Sequence, residues 1–182
     1  MRVSSFAQRG KKEMQSRALF LDRDGIINED RQFVGFQKDF VFKEGIFPFL
    51  RAVQNKGYRL VIVTNQSGVA RGYYSVKDYE ALTRWMLQEL KKQGITIDLT
   101  LACFAYEGGS FWRKPNPGMI LEGAMQLNLD LARSAMVGDN VTDVQAAGAA
   151  HIGKAFLLTE NPDLSPPDTH IIKTLNEILP HL

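Results

Sequence analysis

Asp22 and Asp24 stand two residues apart at the end of the apolar run Leu19-Phe20-Leu21, and Gly25 follows. Residues two apart on an extended chain point to the same side, so both carboxylates can face one pocket. Crowded carboxylates repel unless a cation or a shared proton relieves them. The pair suits a hard divalent ion such as Mg²⁺, which takes oxygen ligands. A carboxylate in such a place can also attack phosphorus and become an aspartyl phosphate. Taken alone, the pattern is equally that of a turn or a helix cap.

Three later stretches have the same form, an apolar run ending in polar groups. Tyr58 to Val63 runs into Thr64-Asn65-Gln66-Ser67-Gly68. Hydroxyl, amide and backbone N–H groups there suit a phosphate oxyanion, and a plain polar turn is the alternative. Leu99 to Phe104 leads through a loop, 105–116, to Arg113 and Lys114. Adjacent cations before a helix are often only surface charges. Ser134 to Val137 runs into Gly138-Asp139-Asn140-Val141-Thr142-Asp143. On an opening helix Asp143 lies one turn beyond Asp139 and can face the same pocket. It can also simply favour the helix N-terminus electrostatically.

The elements that must position these residues alternate. Strands are expected at 18–22, 58–63, 99–104, 134–137 and 152–158, with a short one at 170–172. Helices are expected from Phe47 toward Gly57, from Val76 to Gly94, after Asn116, after Asp139, and around Leu175 to Leu179. Ser75 and Asp78 have the spacing of a capping box, while Asn116 can cap its helix and Pro117 can open it. Trp85, Met86 and Cys103 read as core, and the aromatics within 26–44 as ordinary packing in a flap or short hairpin. Alternation of this kind specifies an α/β fold, doubly wound, with a mainly parallel sheet. Ligands of such sheets bind beyond the carboxyl ends of the strands. Asp22, Thr64, Lys114 and Asp139 each follow one of four successive strands, so their loops share one edge. One site accounts for them better than four separate accidents.

The chain has 182 residues, enough for one domain with a real core. No apolar run approaches the length of a membrane span, and residues 1–16 have no apolar segment of the kind a secretory signal needs. The lone Cys103 excludes an internal disulfide and a multi-cysteine zinc site, and cytoplasm is the expected location. Residues 1–17 carry five cations against Glu13, a charge of +4, whereas the whole chain is +2 and the remainder therefore −2. The basic character belongs to an N-terminal extension, 1–17, ahead of one domain, 18–182, so neither nucleic acid nor membrane is an expected partner of that domain.

Asp22-x-Asp24-Gly25, Thr64, Lys114-Pro115 and Gly138-Asp139-x-x-x-Asp143 resemble the four motifs of the haloacid dehalogenase (HAD) superfamily, in its aspartate-dependent phosphatase branch. The longer stretches 21–28, 64–73 and 113–119 are similar to the heptose bisphosphate phosphatases and the related histidinol-phosphate phosphatases. The resemblance implies a Mg²⁺-dependent phosphomonoester hydrolase that works on a small phosphorylated substrate. Asp22 is then the nucleophile and Asp24 the acid and base. Mg²⁺ is held by Asp22, the Asp24 backbone carbonyl and Asp139, with Asp143 beside or behind it. Thr64 and Lys114 serve the phosphoryl group, and Asn65, Gln66, Ser67, Arg71 and Arg113 the substrate. Histidinol phosphate and a nucleic-acid 3′-phosphate are alternative substrates. A receiver-like phospho-acceptor is a distant alternative, disfavoured by Asp24, whose acid–base chemistry promotes turnover. Heptose phosphatases typically carry a zinc loop before the Arg-Lys-Pro segment. Here 103–112 is shorter and has one cysteine, so no structural zinc is expected, and Phe111 and Trp112 are expected to pack in its place. The insertions leave no room for a separate cap domain, and a monomer or weak oligomer is expected.

Overall fold

The computed structural model describes residues 15–106, 109–161 and 163–182. Most of the expected basic extension, residues 1–14, lies outside the described residues. The fold's contacts begin just before the first strand. Ser16 exchanges backbone hydrogen bonds with Asn128 and Asp130 at 3.2 and 2.8 Å. Arg17 donates to the Lys56 carbonyl at 2.7 Å and lies 4.1 Å from the centre of the Tyr58 ring.

Six strands form one parallel sheet: β1 (Ala18–Leu21), β2 (Arg59–Asn65), β3 (Leu99–Cys103), β4 (Ala135–Gly138), β5 (Lys154–Leu158) and β6 (Thr169–Ile172). Their order is β3-β2-β1-β4-β5-β6. Buried strands in a covered parallel sheet are apolar on both faces. Leu19, Leu21, Leu60 and Ile62 face one core layer, while Ala18, Phe20, Val61 and Val63 face the other. Helices α1 (Ile46–Asn55) and α2 (Val76–Lys92) cover the first layer, with a closing 3₁₀ helix, Leu175–His181. Helices α3 (Gly118–Leu127) and α4 (Val141–Ala149) cover the second. The strand order reverses between β1 and β4, and a crevice opens there beyond their carboxyl ends.

Local chemistry explains most boundaries. The Ser75 hydroxyl accepts from the Asp78 N–H, and Asp78 accepts in return from the Ser75 N–H at 2.8 Å. Helix α2 then buries Tyr79, Leu82, Met86 and Leu90. Asn116 differs from expectation. Its amide donates to the Ser110 carbonyl at 2.9 Å instead of capping α3, and Pro117 takes the cap position. Strand β5 starts at Lys154, later than expected, because Ile152 and Gly153 donate to the Ala147 and Leu131 carbonyls. The last helix is 3₁₀ and contains Pro180, whose missing N–H removes one helical hydrogen bond. In the 26–44 segment, Phe40 and Phe42 pack against Trp85 and Phe47 as expected, with ring centres 4.9–5.8 Å apart. Phe33 and Phe36 stay exposed. No helix among the described residues is long and apolar enough to cross a membrane.

Ser134 ties the first strand to the fourth. Its buried hydroxyl accepts from Ala18 N–H at 3.0 Å and donates to the Asp130 carbonyl at 2.7 Å. Ser134→Ala leaves that buried N–H without a partner and is expected to cost about 1–3 kcal/mol, read by urea unfolding. Unchanged stability would mean that another group takes over both bonds.

Candidate active site

Strand β1 delivers Asp22, β2 delivers Thr64 and Asn65, the loop before α3 delivers Arg113 and Lys114, and the β4–α4 junction delivers Asp139 to Asp143. Asp22, Asp24, Asn65, Ser67, Arg113, Lys114, Asp139 and Asp143 line one cleft of about 260 Å³, together with Asp30, Asn140 and Thr142. Residues spread over more than a hundred positions therefore meet at the sheet edge.

At the centre is the Lys114 ammonium. It contacts Asp22 Oδ1 at 2.9 Å, Asp143 Oδ1 at 2.6 Å and the Val63 carbonyl at 2.9 Å, so all three of its N–H donors are engaged. The Asn65 side chain fixes the lysine's backbone from the next strand, donating to the Lys114 carbonyl and accepting from its N–H. Asp143 also caps its helix, accepting from Asn140 N–H at 3.0 Å, so both readings of Asp143 hold at once.

Asp22, Asp139 and Asp143 can each turn one carboxylate oxygen to within 4.8 Å of the others. Three carboxylates face one ammonium, which leaves an excess of two negative charges. Burial, and then the carboxylates of Asp143 and Asp24 working against Lys114, pushes the Asp22 carboxyl up from 3.8 to about 7. Burial followed by Asp143 and Asp30 pushes Asp139 up to about 6. Burial works against the Lys114 ammonium, yet Asp143 and Asp22 outweigh it and hold its pKa above the usual value. An all-oxygen donor set with two uncompensated charges fits a hard divalent cation. Gly25 makes the approach possible. It sits at φ +78°, and a Cβ there would lie 1.7 Å from Asp139 Oδ2.

Asp24 is held differently. Arg23, its neighbour, is 1% exposed and grips both carboxylate oxygens at 2.9 Å while donating to the Val34 carbonyl at 2.6 Å. Asn28 and Gln66 add contacts at 2.9 and 3.0 Å. Asp24 is thus held by three donor side chains, Arg23, Asn28 and Gln66. Sequence reasoning placed Asp24 but missed its clamp. Arg23 and Asn28 lie within the resembling stretch 21–28 but carry no assigned role there, and Tyr74 and Lys43, which donates to the Gly25 carbonyl, lie outside the resembling stretches. Only the short spacing of Arg23 and Asn28 from Asp24 could have pointed to two of them.

The remaining expected residues divide. Ser67 and Arg113 reach the cleft, and Arg113 also donates to the Ala105 carbonyl at 2.9 Å. Gln66 is buried, with its amide engaged by protein groups. Arg71 does not line the 260 Å³ cleft. It stacks 3.6 Å from the centre of the Tyr106 ring and 5.4 Å from that of Phe33, which lines an adjoining pocket with Asp24, Asn65 and Ser67. Phe111 and Trp112 do not pack as expected; they are 56% and 43% exposed. Their loop is held by polar contacts instead, chiefly Asn116 to Ser110 and Gly118 N–H to the Phe111 carbonyl at 3.0 Å.

The sequence profile of the polynucleotide kinase 3 phosphatase family matches residues 18–164, the stretch that carries all of these side chains. Strand order, catalytic edge and this match define a phosphatase of the HAD class. A D-glycero-beta-D-manno-heptose-1,7-bisphosphate 7-phosphatase of Helicobacter pylori is 42% identical over 166 residues, covering 90% of this chain and 95% of that one. The corresponding alpha-anomer enzyme of Campylobacter jejuni is 45% identical over 147 residues, covering 81% and 85%. The crystal structure of a D,D-heptose 1,7-bisphosphate phosphatase from B. bronchiseptica, complexed with magnesium and phosphate, superposes with a TM-score of 0.80 at 28% identity, covering 91% and 97%. The chain belongs to the HAD-superfamily phosphatase family that these heptose bisphosphate phosphatases represent, and it is an enzyme that hydrolyses phosphate esters.

The raised carboxyls make stability depend on pH. Asp22 and Asp139 keep protons in the fold, up to about pH 7 and about pH 6, that the unfolded chain releases near 3.8. Stability from these groups is full below the unfolded value and is lost as pH rises through the folded ones. Thermal melts in chelator are expected to fall from about pH 4 to about pH 7 and then level off, and a divalent cation to flatten the decline. A metal-free profile that is level through this range would contradict the assignment.

Proposed function

We propose that the protein removes one phosphate from a sugar bisphosphate through an aspartyl phosphate on Asp22, with Mg²⁺ as the cation. The observation that carries this reading is Asp22 held 2.9 Å from a buried lysine beside two further carboxylates. Asp22, Asp139 and the Asp24 backbone carbonyl would hold Mg²⁺, with Asp143 next to it. The bound cation supplies charge neutralisation for the three acidic groups and the phosphoryl oxygens.

The chain's own residues do the rest. An Asp22 oxygen forms a bond to phosphorus while the bond from phosphorus to the sugar oxygen breaks. The protonated Asp24 gives its proton to the departing oxygen. Water then attacks the aspartyl phosphate, Asp24 takes the proton, and inorganic phosphate leaves as the Asp22–phosphorus bond breaks. Thr64, Ser67 and backbone N–H groups hold the phosphoryl oxygens, Lys114 balances the charge between nucleophile and phosphate, and Arg113 grips the substrate. Charge neutralisation and positioning supply most of the acceleration in phosphoryl transfer.

The names of the relatives point to D-glycero-D-manno-heptose 1,7-bisphosphate, with both anomers represented among them. Arg71, braced by aromatic rings at the rim, suits an anionic substrate. A nucleic-acid 3′-phosphate is less suited: the chain beyond residue 17 is net negative, and Asp30 lies in the cleft. We place the enzyme in the cytoplasm, acting without structural zinc, the loop before Lys114 being held by Asn116 and Arg113.

The test is phosphate release from both anomers of heptose 1,7-bisphosphate, histidinol phosphate, other sugar phosphates and a 3′-phosphorylated oligonucleotide, with and without Mg²⁺. A metal-dependent preference for a heptose bisphosphate is expected. Asp22→Asn is expected to abolish release and phosphoenzyme trapping, and Lys114→Met to lower kcat/KM by about 10²–10³-fold. Full turnover by Asp22→Asn would remove the covalent mechanism.

A further inference from the structure

We infer that Gln66, locked by Tyr74, is a positioning residue that aims two catalytic groups at once and does not bind substrate. The inference rests on Asp24 as acid and base and on Thr64 as a phosphoryl ligand. One side-chain nitrogen, Gln66 Nε2, donates to Asp24 Oδ2 at 3.0 Å and to Thr64 Oγ1 at 2.8 Å. Gln66 Oε1 accepts from the Tyr74 hydroxyl at 2.6 Å. Gln66 is 1% exposed and Tyr74 6%.

The chain of bonds has a direction. An amide has two N–H donors and one carbonyl acceptor. If the Gln66 amide turned over, its carbonyl would face the Asp24 carboxylate, acceptor against acceptor. The Asp24 carboxylate, which only accepts, selects the turn that is seen, and the Tyr74 hydroxyl then donates to Oε1 and holds it there. Tyr74 itself has little freedom, because its ring lies against two glycines. A Cβ at Gly35 would come within 2.3 Å of the ring and one at Gly68 within 2.4 Å.

Two consequences reach the reaction. Gln66 adds a third donor to Asp24 beside Arg23 and Asn28, at the Oδ2 oxygen, which restricts rotation of the carboxyl. Thr64 accepts from Gln66, so its own O–H hydrogen remains to donate toward a phosphoryl oxygen. Tyr74 lines the adjoining pocket, but its hydroxyl is spent on Gln66 Oε1, so it acts on the reaction through Gln66.

The test is kcat/KM across a series of phosphate monoesters, from 4-nitrophenyl phosphate, a good leaving group, to alkyl and sugar phosphates, poor ones. A poor leaving group needs the proton from Asp24; a good one does not. Tyr74→Phe and Gln66→Leu are expected to lower kcat/KM for all esters through Thr64 and about tenfold further for alkyl esters through Asp24, steepening the dependence on leaving group. Ser67→Ala, a substrate contact, is expected to shift the whole series in parallel. Tyr74→Phe keeps the ring between its glycines, so it carries the test even if Gln66→Leu fails to fold. A parallel shift or no change in Tyr74→Phe overturns the inference. Asp24→Asn separates this from the mechanism itself: if its series also keeps the wild-type slope, Asp24 is not the acid and the proposed mechanism falls.

Discussion

The structure depends on one buried cation. Lys114 puts a positive charge among Asp22, Asp143 and Asp139, in a place where burial alone would drive the carboxylates to protonate. Removing an ion from water is costly, and a buried pair holds only when geometry and hydrogen bonding are complete. Here they are: the ammonium has three acceptors, two of them charged. Asn65 secures its backbone and Asp143 is secured in turn by the start of α4. The remaining negative charge suits a divalent ion.

Around that centre lies a layer of polar groups that never meet solvent. Arg23 is among the largest fully buried side chains, and its role is to satisfy Asp24. A carboxylate caged by Arg23, Asn28 and Gln66 keeps one orientation. The two carboxylates of the Asp-x-Asp pair thus differ in environment despite being two residues apart. Asp22 contacts a lysine among other acids, whereas the hydrogen bonds to the Asp24 side chain come from Arg23, Asn28 and Gln66.

The rim is built by other means. Short insertions replace a covering domain, so the cleft stays open between loops. Gln32 and Phe33 both hold positive φ, 57° and 54°, a conformation that is costly for such residues. It sets the Phe33 ring at the pocket edge, 4.6 Å from Tyr73 and beneath Arg71. Aromatic faces and a guanidinium are thus gathered at the edge of the pocket that adjoins the carboxylate cleft.

The amino-acid sequence by itself determined the fold class, the alternation of strands and helices, and the chemical centre. Apolar runs followed by Asp22, Thr64 and Asp139 are legible because a buried parallel strand must be apolar and its exit must be polar. Lys114 became legible once its loop had to share their edge. Helix α2 was legible from Ser75 and Asp78 because a capping box is local. Tertiary structure alone decided the rest. Asn116 has the type and position of a cap, yet the loop's need for an anchor claims its amide. Phe111 and Trp112 have the composition of core, yet polar contacts hold their loop and leave them outside. Gln66 sits among phosphate-loop residues, but burial against Tyr74 turns its amide inward. In each case the residue type allowed more than one placement, and contacts formed elsewhere in its loop or in the fold chose between them. Only the packed chain fixes which partner is within hydrogen-bonding distance.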